Sequence, residues 1–168
     1  MTDINQAPGT LSRAGDYLQG QLERTFKQDQ QALWRMLTLP ESLAQWLAPG
    51  SIDLRVGGAA KLNFADSGTV IDSTVTAFDA LHLIEYSWSS AGQPLRPVRF
   101  EVQAVNGGTC LTLTVRVPQS EDIARTCAGW EAHLMMLQCA LEGASIKFPF
   151  ERFKTTREMY KAKAALLA

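Results

Sequence analysis

A chain of 168 residues, 46% hydrophobic and 20% charged, is long enough for one domain with a full core, and its excess over about 150 residues points to terminal appendages. Sixteen Lys and Arg against seventeen Asp and Glu leave a formal charge of −1, which excludes a global field able to hold nucleic acid or an anionic membrane surface. No apolar run approaches a membrane span, and the N-terminal stretch lacks the apolar core of a signal peptide.

Residues 1–15 are polar, contain Pro8, Gly9 and Gly15, and show no period; they read as a flexible leader. The folded domain is expected over 16–143 and a C-terminal extension over 144–168. From Tyr17 to Lys27 the chain alternates, with Leu22, Arg24 and Phe26 in one phase, which predicts a strand carrying one charge on its apolar side. Asp29 can cap a short helix with Leu33, Trp34 and Leu37. Pro40 begins a second with Leu43, Trp46 and Leu47, ended by Pro49-Gly50.

Six further strands are predicted over 51–56, 59–65, 69–78, 81–88, 96–105 and 109–117, for seven in all. The turns between them include Gly57-Gly58 and Asn106-Gly107-Gly108, the latter a strong hairpin signal. Short turns between consecutive strands make an antiparallel meander. Val98, Phe100 and Val102 share a side with Leu111, Leu113 and Val115, so the sheet has an apolar face that needs a cover.

That cover is the stretch 121–142, predicted as one long helix capped by Ser120. Ile123, Cys127, Trp130, Leu134, Leu137 and Leu141 form its stripe. Its far side is apolar too, through Ala128, Ala132, Met135, Met136 and Cys139. It must therefore be covered twice, by a tail helix over about 151–166 or by a second copy in a homodimer. Between Lys147 and Lys163 the tail carries six basic residues and two acidic ones, a solvated face or a patch for an acidic partner. The cysteines Cys110, Cys127 and Cys139 are odd in number, and two of them are about 18 Å apart along the helix. Reduced thiols and a cytoplasmic setting follow.

Strand, two short helices, six strands and a long helix is the order of the helix-grip fold, an α+β class. The segments ERTF (23–26), ALW (32–34), LPESLAQWLAP (39–49), DLRVGGAAKLNF (53–64), EYSW (85–88), VRFEV (98–102), GTCLTLTV (108–115) and GW (129–130) resemble the START-like (SRPBCC) superfamily. More narrowly, they are similar to the branch named for activators of the ATPase of a heat-shock chaperone. Val115 stands where many members of that branch carry histidine, so any role resting on that imidazole is absent. The resemblance implies a hydrophobic cavity under the long helix, and no single activity, because the scaffold hosts several.

The residues expected to touch a ligand are Arg24, Trp46, Phe64, Tyr86, Trp88, Phe100, Trp130, His133 and Leu134. The alternative for the aromatic residues is plain core, and for Arg24 an internal ion pair. Thr126, Glu131 and Gln138 join His133 at the edges of the helical stripe, as orienting polar groups or as an exposed rim. No catalytic motif, metal-ligand spacing or cofactor signature is present. The favoured reading is a small hydrophobic-ligand carrier or sensor, with a stress-related role, lipid binding and a chaperone partner implied only by the resemblance. The alternative is a cyclase, aromatase or hydrolase in which Arg24, Glu131 or His133 moves protons.

Overall fold

The computed structural model describes residues 8–64 and 67–167. In chain order the strands are β1 (Thr10–Ala14), β2 (Tyr17–Phe26), β3 (Gly50–Ile52), β4 (Ala59–Phe64), β5 (Thr69–Asp79), β6 (Leu83–Tyr86), β7 (Val98–Val105) and β8 (Gly108–Pro118). The helices are α1 (Gln30–Thr38), α2 (Pro40–Trp46), α3 (Ile123–Leu141) and α4 (Phe150–Ala165). All strand pairs are antiparallel, in the order β1-β2-β8-β7-β6-β5-β4-β3, with β1 and β3 as open edges.

The sheet has eight strands, not the seven expected. The additional one, β1, comes from the stretch read as a leader and pairs with β2 from Thr10↔Gln21 to Ala14↔Tyr17. It carries no apolar alternation because it is an edge strand held by backbone pairing, with mainly Leu11 packing on the core. The first seven residues of the expected leader, with Ala65 and Asp66, lie outside the described residues. Four helices are present, one more than the core set of the helix-grip fold.

Two strands are shorter than predicted, for local reasons. Residues 53–58 fold into a turn, with Arg55 N–H donating to Asp53 O and Gly58 N–H to Arg55 O, so β3 ends at Ile52. Leu81 (φ +69°) and Trp88 (φ +57°) take the left-handed conformation that a strand cannot use, which trims β6 at both ends. The first helix is capped as read: Asp29 Oδ1 accepts from Ala32 N–H at 2.8 Å. The long helix is not capped by Ser120. Asp122 takes the role, its Oδ1 accepting from Arg125 N–H at 3.0 Å.

Five of the six stripe residues of α3, all but Leu141, are buried against the sheet. The opposite face is covered within the chain: α4 packs along it, and Ala128 and Ala132 are fully enclosed. The basic excess of the tail is spent internally. Arg152 pairs with Glu131, Lys154 with Glu151, Arg157 with Asp122 and Lys161 with Glu158. No helix among the described residues is long and apolar enough to cross a membrane.

Where α3 crosses β2, Gly20 lets Cys127 approach the strand; a Cβ at position 20 would sit well inside contact distance of Cys127 Sγ. Gly20→Ala is therefore expected to cost about 1–3 kcal/mol in chemical denaturation. Combined with Cys127→Ala, the total loss is expected to be smaller than the sum of the two single losses.

Candidate ligand-binding site

Two sets of side chains meet α3 on opposite sides. On the side of β2 and α4, Glu131 gathers three partners around one carboxylate. Oε1 accepts from Arg24 Nη2 of β2 and, at 3.1 Å, from Arg152 Nη2 of α4; Oε2 accepts from the Tyr160 hydroxyl at 2.6 Å. Tyr160 in turn accepts from Gly9 N–H at 2.9 Å, while Lys163 Nζ donates to Gly9 O. Arg24 Nη1 closes on Glu23 O at 2.7 Å. The alternation placed Arg24 inward correctly, but its charge is committed to an internal pair rather than free for a ligand. Glu131 is likewise not a rim residue; it is 1% exposed.

The surroundings of this carboxylate tune its neighbours. Burial, the Glu131 charge and the hydrogen bond to it all push the Tyr160 hydroxyl well above the usual phenol range. Burial first, then Glu131, raises the Cys127 thiol to about 12, so that cysteine is inert at neutral pH. Removing one member of a buried pair leaves the rest uncompensated. Glu131→Gln is expected to cost about 3–5 kcal/mol, read as a lower denaturant midpoint with little change in slope.

On the other side of α3 lies a continuous seam of rings. Deepest are Trp46, Tyr86 and Phe100. Trp46 meets Phe100 edge-on at 6.3 Å, and its Nε1 donates to Met36 O at 2.7 Å. Phe100 and Trp88 both reach Trp130, at 5.7 and 5.2 Å, and Tyr86 stacks on Trp88. Outward, Phe64 touches Trp88 and His133, His133 touches Phe148, and Phe148 meets Phe150 at 5.0 Å. The seam thus runs from the core to a ring, Phe150, that is 64% exposed. Its half-buried mouth, Phe64, Trp88, His133 and Phe148, draws on β4, the β6–β7 loop, α3 and the α3–α4 connection. Leu134 is enclosed beneath α3.

Trp88 is held in place from both sides of its loop. Its φ of +57° is costly for a bulky residue, on the order of 1–3 kcal/mol. Neighbouring Ser87 donates to Ser89 O, and Arg96 N–H to Ser87 O. Arg96 then forms a two-pronged pair with Glu121, at 2.8 and 2.6 Å, just ahead of α3. That pair holds the Glu121 carboxyl below its ordinary range.

His133 Nδ1 lies 3.0 Å from Trp46 O, and a carbonyl partner requires Nδ1 to carry the proton. Burial outweighs that hydrogen bond and pushes the imidazole below its usual value, so the ring is neutral at pH 7. A group whose folded pKa is depressed binds fewer protons than it does unfolded, so stability falls with falling pH. Stability is expected to decline from about pH 6.5 downward, and His133→Phe to flatten that decline in denaturation series between pH 7 and 5.5.

A cleft of about 390 Å³ opens elsewhere, on the β1 side of β2, beside Pro8, Gln21, Glu23, Thr25 and Cys110, with Arg24 at its floor. Its walls are polar and its arginine is already paired, so it fits a hydrophobic ligand less well than the seam.

The nine sequence-chosen residues thus divide. Trp46, Phe64, Tyr86, Trp88, Phe100, Trp130, His133 and Leu134 lie at the seam or beneath α3, whereas Arg24 belongs to the charged side. Arg24 and Glu131 are partners, but His133, two residues and about 200° further round the helix, is not. The proton-transfer trio considered from sequence does not assemble. Sequence reasoning missed Arg152 as a partner for Glu131, and Phe148 as a seam residue; the aromatic run Phe148, Phe150, Phe153 was the available signal.

An antiparallel sheet wrapped on one long helix, with an aromatic seam between them, defines the helix-grip class. The chain belongs to the activator of Hsp90 ATPase homolog 1-like family, whose model matches residues 28–142, a branch of the START-like superfamily. Among solved structures it is similar to CalU16 from Micromonospora echinospora (20% identity, TM-score 0.77, covering 98% of this chain and 97% of that one). It is also similar to a conserved protein of unknown function, EF2215, from Enterococcus faecalis (19%, 0.73, 92% and 91%). DynU16, a protein in the dynemicin biosynthetic locus, shares 23% identity at a TM-score of 0.67, over 77% of this chain and 48% of its own. These identities establish a shared fold. No curated protein matches the chain.

Proposed function

We propose that the protein binds a small hydrophobic ligand at the aromatic seam beneath α3, as a carrier or sensor. The observation that carries this reading is the continuity of the seam from the core to the surface, through a mouth assembled from four segments. A purely structural core has no need of half-buried rings at its rim or of a tryptophan in left-handed conformation. Separation of Arg24 and Glu131 from His133 favours binding over turnover. The family supports the same reading, since a sheet gripping a helix offers an enclosure, and one relative of this fold comes from a biosynthetic locus.

Native mass spectrometry of protein purified gently from its source is expected to show a defined extra mass, and Trp88→Ala to lose it while keeping a cooperative melt. A bare-chain mass, together with no change in tryptophan fluorescence across a panel of aromatic and aliphatic probes, would overturn the proposal.

A further inference from the structure

The seam contains polar atoms that the protein itself does not use. Among the described residues, Arg157 Nε is the one buried side-chain nitrogen or oxygen that is both shut off from solvent and without a hydrogen bond. The Tyr86 hydroxyl also bonds to no described residue. It therefore borders space that water can reach, although only 1% of the residue is exposed. Trp130 Nε1, on a residue 5% exposed, is in the same position, and so is His133 Nε2, since only Nδ1 of that ring is engaged. Two donors and one acceptor thus stand among the rings, with Tyr86 stacked on Trp88 and Trp130 between Trp88 and His133. Buried polar groups in native proteins are almost always matched, and an unmatched set inside an apolar seam is the pattern of a ligand's polar contacts.

Charge narrows the chemistry. The seam offers no free cation: Arg24 is spent on Glu131 on the opposite side of α3, and burial keeps His133 neutral. An anionic ligand would lie there uncompensated. Resting on the ligand-binding reading above, we propose that the ligand is an uncharged planar aromatic molecule bearing a hydroxyl, whose oxygen accepts from the Tyr86 hydroxyl and whose proton goes to His133 Nε2. Burial, which raises the Tyr86 phenol, keeps that donor protonated across the working range.

Three probes that share one ring system test this: naphthalene, 2-naphthol and 2-naphthoate, titrated against the full chain by calorimetry. The wild type is expected to bind 2-naphthol roughly five- to tenfold more tightly than naphthalene and 2-naphthoate most weakly. Tyr86→Phe is expected to erase the naphthol advantage, leave naphthalene binding unchanged, and keep or raise the melting temperature, because it deletes a hydroxyl with no internal partner. A naphthol advantage that survives Tyr86→Phe, or naphthoate binding as tight as naphthol, overturns the inference while the ligand-binding reading stands. A lower melting temperature in Tyr86→Phe would show that the hydroxyl serves the fold, and overturns it equally. If none of the three probes binds, both readings fail together.

Discussion

One buried carboxylate organises this molecule. Glu131 joins the second strand, the long helix and the terminal helix through Arg24, Arg152 and Tyr160, and through Tyr160 it reaches the backbone ahead of the first strand. Taking a carboxylate and two guanidinium groups out of water is expensive, and the cost is offset only when the oxygens are fully engaged. That requirement fixes how α3 is turned about its own axis. With Glu131 facing β2 and α4, Trp130 and His133 are directed to the rings of the sheet and of the connection that follows α3. The charged side therefore sets the geometry of the apolar side without touching it.

The aromatic side is built differently. Each ring contact contributes perhaps a kilocalorie beyond burial, no single one is decisive, and the rim residues are only partly covered. Such a region is easier to rearrange locally than the carboxylate cluster. A rigid charged flank beside an adaptable aromatic one suits a protein that must admit a molecule without losing its fold. The loop bearing Trp88 sits at the boundary, strained in its backbone and fastened to the start of α3 by Arg96 and Glu121.

Much of this was legible in the residues. Period-two alternation located the strands, and Asn106-Gly107 located a hairpin whose central glycine has φ +85°. The stripe of α3 and the need for a second cover over Ala128 and Ala132 were both readable. What escaped did so for physical reasons. Thr10–Ala14 pairs through backbone groups, which leave no trace in side-chain pattern. Glu131 sits beside a stripe and so read as a rim, because helical periodicity gives an angle but not what lies beyond it. Only the docking of α4 turns that edge into interior. Trp88 and Leu81 ended a strand early through backbone conformations that bulky side chains do not advertise.

The grip on Gly9 by Tyr160 and Lys163, with Arg13 Nε donating to Leu167 O at 2.8 Å, has a consequence for how the chain is made. Synthesis runs from the N-terminus, so β2 and its Arg24 emerge long before the groups that complete their setting. Until Tyr160 has been added, the Glu131 carboxylate lacks a partner and one face of α3 is bare. The nascent sheet must therefore wait in an unfinished state whose apolar helix is open to solvent, the kind of surface that chaperones recognise. Folding of this domain ends, rather than begins, with its last helix.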